Sequence, residues 1–128
     1  MEDLEWHKHE TYKSMITYGQ GMLRFVFLVN AGAILSILTF LGNVYAKNGT
    51  VLNMRTSIVT FLLGLIFAGM ASMSAYFIQF MLFRETVDNV QNAGWRSHVR
   101  WLTATLAFIV ISLGCFAVGS LCAVSELT

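Results

Sequence analysis

The chain has 128 residues, of which 56% are hydrophobic and only 12% are charged, and its mean hydropathy is +0.65. Soluble domains carry about a quarter charged residues, so eight Lys/Arg and seven Asp/Glu could not cover the surface that such a short chain would expose to water. The composition therefore argues against a soluble domain and against a disordered chain, and a net charge of +1 without a basic stripe gives no reason to expect nucleic acid as a partner.

Residues 1–24 are predicted to form an amphipathic cytoplasmic helix that continues into the first membrane span. Most apolar side chains between Leu4 and Leu23 fall on one helical face, and the charged ones lie elsewhere. The acidic start of the chain is unlike the basic n-region of a secretory signal, so we expect the first span to be retained. Gly19 and Gly21 leave a bend in this helix open as an alternative.

Three long runs without a formal charge predict three transmembrane helices. They cover residues 25–46, 56–83 and 101–125, and contain 22, 28 and 25 residues. Each exceeds the roughly 20 residues that a helix needs to cross the hydrocarbon core of a bilayer. The runs lack the alternation of a membrane β-barrel strand and are too long for one strand crossing. The expected fold is therefore an all-α integral membrane protein with three transmembrane helices, assembled as a homo-oligomeric bundle in contact with membrane lipid.

The connecting segments are short. An outer turn is expected at residues 47–55, where Asn48-Gly49 is a tight-turn dipeptide. Residues 84–100 are expected to form a cytoplasmic helical loop with a helix stop at Asn92-Ala93-Gly94, and residues 126–128 an outer tail.

The distribution of basic residues predicts the orientation. Six of the eight Lys/Arg lie in the N-terminal segment and the second loop, and two lie in the first loop. The positive-inside rule then places the N-terminus inside and the C-terminus outside a bacterial-type cytoplasmic membrane. Tyr45, Trp95 and Trp101 flank the spans and are expected to act as interface anchors.

Small and polar residues recur on one face of each span. Because transmembrane helices associate through close backbone approach and interhelical hydrogen bonds, these faces are predicted to be helix-packing surfaces, and their surplus suggests self-association. The first span contributes Gly32, Ser36, Thr39 and Asn43, the second Ser57, Thr60, Gly64, Ala68, Ala71, Ser72 and Ala75, and the third Ser112 and Gly119.

Two amides stand out among the polar residues of the spans. Asn30 and Gln79 each lie about five residues inside the inner boundary on antiparallel helices, and Thr103 and Thr105 occupy a similar level on the third span. An unsatisfied amide in hydrocarbon is costly, so these groups are expected to bond to each other, to a backbone or to water. They form either an interhelical clamp or the lining of a hydrated pore.

The sequence offers little for catalysis or for a cofactor. No charged residue lies inside a predicted span, which argues against a proton- or ion-coupled transporter. Asp3, His7 and Glu10 share a helical face and could hold a metal, but a solvated face with i, i+4 pairs is the simpler interpretation. Cys115 and Cys122 are too far apart along one helix to form a disulfide within it. We therefore expect no enzyme activity, no cofactor and no metal.

The function that this pattern favours is a small, self-assembling membrane protein that forms a pore or perturbs membrane permeability. Three spans with a short outer loop resemble some phage-type holins in architecture alone. The alternative is a non-catalytic membrane anchor or accessory subunit that docks a soluble cytoplasmic partner through its cytoplasmic helices. A redox-cofactor subunit, a small-solute transporter and an enzyme are weaker possibilities.

Overall fold

The computed structural model describes residues 2–49, 53–88 and 95–127, with the side chains of residues 2–5, 8, 85–88 and 95–98 outside the described part. These residues form three α-helices, α1 (Glu2–Asn48), α2 (Arg55–Asp88) and α3 (Trp95–Leu127). Each helix contains a stretch that is long and apolar enough to cross a membrane. The prediction of an all-helical chain with three candidate spans is therefore confirmed.

Helix α1 is one unbroken helix of 47 residues, about 70 Å long at 1.5 Å per residue. Gly19 and Gly21 do not interrupt it, since the helix is continuous through both residues. The helix ends at Asn48, where Gly49 adopts a φ of +66° and its N–H donates to the carbonyl of Tyr45 at 2.9 Å. This is a helix C-cap that glycine adopts without a steric penalty, and it begins the turn that the sequence predicts.

Helices α2 and α3 extend beyond the charge-free runs into the second loop. Helix α2 continues to Asp88, and α3 already begins at Trp95. The described residues of the predicted second loop, 84–88 and 95–100, are therefore helical. The helix stop expected at residues 92–94 lies outside the described residues.

The main packing unit is the antiparallel pair of α2 and α3. Aromatic side chains meet along its length, with ring centroids 5.8 Å apart for Phe61 and Phe116 and 5.5 Å apart for Phe77 and Trp101. Helix α1 contacts α2 more extensively than it contacts α3. The bundle is thus a tight hairpin with a third helix laid against it.

The register of α1 differs from the one that the ends of the charge-free runs predict. Matching those ends would place Phe25, the start of the first span, beside Phe83. In the structure its neighbour Val26 is instead fully buried beside Ala68 and Ala71 of α2 and Ile109 of α3. Ala71 lies twelve residues before Phe83, which corresponds to about 18 Å of helix. The small side chains of α2 set this register, because α1 approaches where they leave room.

This register changes the environment of the N-terminal segment. Residues between Tyr12 and Leu23 line a cavity together with residues of α2 between Ala75 and Leu82. That stretch, part of the predicted cytoplasmic residues 1–24, lies beside the two other helices. Arg24 lies between Val26 of the core cluster and Leu23, which packs against that cluster, and is therefore at the height of the middle of α2.

Candidate functional site

A buried polar node joins the three helices at the centre of the bundle. The side chains of Asn30 and Ser112 are both fully buried. The Asn30 amide donates from Nδ2 to the Val26 carbonyl at 2.9 Å and to Ser112 Oγ at 3.2 Å. Ser112 Oγ in turn donates to the Gly64 carbonyl at 2.7 Å. One chain of hydrogen bonds therefore runs from α1 through α3 to α2.

The remaining oxygen of the Asn30 amide is buried without a hydrogen-bond donor. It faces Gly64, where an added β-carbon would overlap the Asn30 side chain. The Cα–H bond that such a β-carbon would replace therefore points at Asn30 Oδ1, and a Cα–H group is a weak donor. Glycine at position 64 is what lets the amide enter the space between α1 and α2.

Asn30 and Gln79 do not meet. Asn30 lies in the central node, whereas Gln79 is exposed at the edge of a cavity nearer the N-terminal end of α1. Thr105 lines the same cavity as Gln79, and its hydroxyl donates to the Trp101 carbonyl at 2.9 Å. Thr103 is exposed and donates to the Val99 carbonyl of its own helix. The prediction that Asn30 and Gln79 lie at the same depth is wrong, because α1 is shifted along α2.

The small-residue stripe of α2 is largely covered by the other helices of the same chain. Its buried members are Ser57, Gly64, Ala68 and Ala71; Thr60 and Ala75 are half-buried, and Ser72 is exposed.

Sequence reasoning missed Phe61, which is among the largest fully buried side chains. It packs against Gly119 of α3, where an added β-carbon would come within 2.9 Å of the ring. The sequence pattern predicts Gly119 as a packing residue, but it does not indicate that Phe61 lies opposite it.

A second polar link joins the start of α2 to the end of α3. Ser57 is fully buried, and its hydroxyl donates to Glu126 Oε2 at 2.7 Å. Glu126 was expected in an outer tail, but it is helical and half-buried. The sequence signal for this link was the acidic residue directly after the charge-free run.

The polar face of α1, defined here as Gly32, Ser36, Thr39 and Asn43, is exposed in the single chain. The hydroxyls of Ser36 and Thr39 each donate to a carbonyl four residues earlier in α1, at 2.8 Å. An added β-carbon at Gly32 would meet no atom within 4 Å. Other helices of the chain therefore leave this face accessible, although Gly32 and Ser36 also line a shallow groove beside α3.

The remaining predicted residues are placed as follows. Tyr45 is exposed, and Trp101 is half-buried against Phe77. The side chains of Trp95 and Asp3 lie outside the described part of the chain. The two cysteines are free and half-buried. Among the described residues, no three His, Cys, Asp or Glu side chains are grouped closely enough to hold a metal ion.

A cavity of about 560 Å³ opens between the N-terminal half of α1 and the α2–α3 pair. Its wall is predominantly apolar, and the amides of Gln20 and Gln79 lie among the lining groups. Sequence reasoning singled out Gln79 but missed Gln20 and the cavity, because their proximity depends on the register of α1.

No family model, curated protein or solved structure matches this chain.

Proposed function

We propose that this chain is a self-assembling membrane protein that forms a pore, or otherwise raises membrane permeability, by packing several copies around a shared polar lumen. The observation that carries the proposal is the exposure of the polar side of α1. Only 11% of the most apolar stretch of α1 is buried against the rest of the chain, compared with 28% for α2. A helix with polar groups that its own chain leaves uncovered is suited to face other copies or water.

The lumen would lie between copies. Val26, Phe61 and Ala68 are buried at the centre of the described bundle, and the hydrogen-bonded Asn30 amide fills the space beside them. The interior of one chain is thus filled by apolar side chains and by Ser112, whose hydroxyl is hydrogen-bonded to the Gly64 carbonyl. The Asn30 node serves to hold the three helices in register, and it is not proposed as a pore lining.

Arg24 supports the placement of α1 at a lumen. Its side chain is exposed, at the height of Ala68 and Ala71 in the middle of the charge-free run of α2. Ionisable residues at membrane depth almost always face a bundle interior or a water-filled cavity. In an assembly with α1 facing the lumen, water would hydrate the Arg24 guanidinium. In an isolated chain, the same group would lie against lipid.

The polar face of α1 supplies contacts for assembly. Small residues permit close approach between helices, and amides or hydroxyls hydrogen-bond across the interface, each bond contributing about 0.6 kcal/mol on average. Asn43 has free amide donors and acceptors for such a bond, since no hydrogen bond involves it among the described residues. Without Arg24, five basic residues lie in the N-terminal segment and the second loop and two in the first loop, which favours an N-terminus inside a bacterial-type cytoplasmic membrane.

The test is dye and ion leakage from liposomes that hold the purified full chain. Wild-type protein should release a small trapped dye at a rate that rises more steeply than linearly with protein density. Asn43→Leu should reduce release, while Gly114→Leu, which adds the same side chain to an open position on α3, should leave it unchanged. Tight liposomes at high protein density would overturn the proposal.

A non-catalytic anchor is the second candidate, favoured by exposed groups at the start of α1. Trp6 is 61% exposed, with its ring against that of His7 at a centroid distance of 5.1 Å. Such an amphipathic end could dock a soluble protein. Deletion of residues 2–10 should abolish copurification of a stoichiometric partner under this candidate, and should leave liposome leakage intact under the pore proposal.

A further inference from the structure

The cavity between the N-terminal half of α1 and the α2–α3 pair lies where small residues of α1 and α2 face each other without touching. Gly19 and Ala75 both line it. At Gly64 the missing side chain lets α1 touch α2, but at Gly19 no atom lies within 4 Å of the position that a β-carbon would take. Helix α1 therefore stands away from its neighbours where its own sequence would allow close packing.

The chemistry of the wall is that of a site for a lipid-soluble molecule. Its volume of about 560 Å³ falls inside the range of small-molecule pockets, which is roughly 300–1,000 Å³. Methionine side chains, Met15 and Met22, form part of the wall and adapt readily to the shape of an apolar ligand. The cavity lies between the three helices that contain the candidate spans, so its ligand would enter from the bilayer.

Two side-chain amides give this apolar cavity a polar element. Gln20 and Gln79 line it from opposite helices, and no hydrogen bond involves either amide among the described residues. An amide both donates and accepts, and leaving it unpaired in hydrocarbon is costly. Among the residues whose side chains the structure describes, none that lines the wall is charged, so these residues offer no counterion to a charged head group.

We propose that this cavity binds an uncharged amphipathic lipid, namely a hydrocarbon chain that carries a hydroxyl or carbonyl head group. The chain occupies the space beside Gly19 and Ala75, and the head group exchanges hydrogen bonds with Gln20 and Gln79. A long-chain alcohol and a quinone with an alkyl tail both satisfy this chemistry. The proposal does not depend on pore formation.

The experiment uses the full chain in lipid nanodiscs and a long-chain alcohol with a photoactivatable diazirine in its tail. After irradiation, the labelled peptides are mapped by mass spectrometry. Labels should concentrate in the three segments that line the cavity, residues 12–23, 75–82 and 102–109. Unlabelled long-chain alcohol and an alkyl benzoquinone are added as competitors in separate arms, which identify the preferred head group. A plain alkane is the competitor in the third arm, which tests whether a head group is needed.

Two pairs of variants and one further substitution on α2 separate a site from ordinary lipid contact. Gly19→Leu fills the cavity and should lower labelling about tenfold or more, whereas Gly21→Leu, two residues away at an open position outside the wall, should not. Ala75→Leu should repeat the loss from the α2 side. Gln79→Leu should weaken competition by the alcohol or the quinone, while Asn53→Leu removes an exposed amide outside the cavity and should have no effect.

The proposal is overturned if labels spread evenly over all lipid-facing peptides, or if Gly19→Leu and Gly21→Leu behave alike. It is also overturned if the alkane competes as well as the alcohol and the quinone, because the head group would then make no contribution. Leakage from liposomes is measured separately, so that failure of the pore proposal leaves this result unaffected.

Discussion

The side-chain amide of Asn30 occupies the space into which a β-carbon at Gly64 would project. This one relationship fixes how α1 sits against α2, because the amide also reaches Ser112 of α3 at 3.2 Å. Moving α1 by one helical turn would withdraw the amide from both partners and leave it only its bond to the Val26 carbonyl of its own helix. The node thus specifies the register of the bundle as well as contributing to its stability.

Gly64→Ala is expected to destabilise the bundle. The new methyl group would overlap the buried Asn30 amide, and overpacking of this kind costs about 1–3 kcal/mol. The free energy of unfolding, measured in mixed micelles by circular dichroism, should fall by that amount.

Gly69→Ala is the matched control for this substitution. It lies on the same helix, and its β-carbon would meet no atom within 4 Å. It should leave the free energy of unfolding unchanged or raise it by up to about 1 kcal/mol, since alanine favours helix over glycine. Equal behaviour of the two variants would contradict the close contact between Asn30 and Gly64.

The hydrogen bond between Asn30 and Ser112 should appear as a coupling energy in a double-mutant cycle. Asn30→Ala and Ser112→Ala are each expected to lower the free energy of unfolding, and together less than additively. The coupling should be about 0.6 kcal/mol and not above about 1.7 kcal/mol, the range found for bonds between membrane helices.

Thr39→Ala provides the comparison for the cycle, because among the described residues its hydroxyl bonds only to the carbonyl of Leu35 in the same helix. Paired with Ser112→Ala, it should show no coupling. Coupling in this second cycle as large as in the first would argue against a direct interaction at the node.

The three helices could be predicted from the sequence because charge and hydropathy act locally. Each charge-free run is longer than a bilayer crossing requires, and Gly49 is a local C-cap signal. The helix ends outside the runs were less certain, since Glu126 remains helical where a tail was expected.

The register of α1 could not be predicted in the same way. Matching the ends of charge-free runs assumes that every helix is centred at one depth, but packing at Gly64 and Ala68 decides which residues meet. The placement of Asn30 beside Ser112 follows from that packing. The cavity lined by Gln20 and Gln79 depends on the same shift, so nothing in the sequence pattern alone indicated it.

Disulfide cross-linking should locate the interface between copies on the polar face of α1. In a chain with Cys115 and Cys122 replaced by alanine, Thr39→Cys should give a covalent dimer in membranes on mild oxidation, because disulfide formation requires Cα atoms within about 7 Å. Leu38→Cys is the control at the adjacent residue, which is 51% exposed and points about 100° away around the helix. More dimer from Leu38→Cys than from Thr39→Cys would place the interface elsewhere.

Arg24→Gln is expected to change the ion preference of the pore. If α1 faces the lumen, each copy contributes an exposed guanidinium at the height of Ala68 and Ala71, and rings of basic side chains favour anions. Reversal potentials in planar bilayers under a potassium chloride gradient should therefore show chloride preference in the wild type, and Arg24→Gln should move them toward zero. Lys47→Gln, at the C-terminal end of α1, is the control and should retain most of the preference. Cation preference in the wild-type chain, or equal shifts in the two variants, would rule out a lumen lined by Arg24.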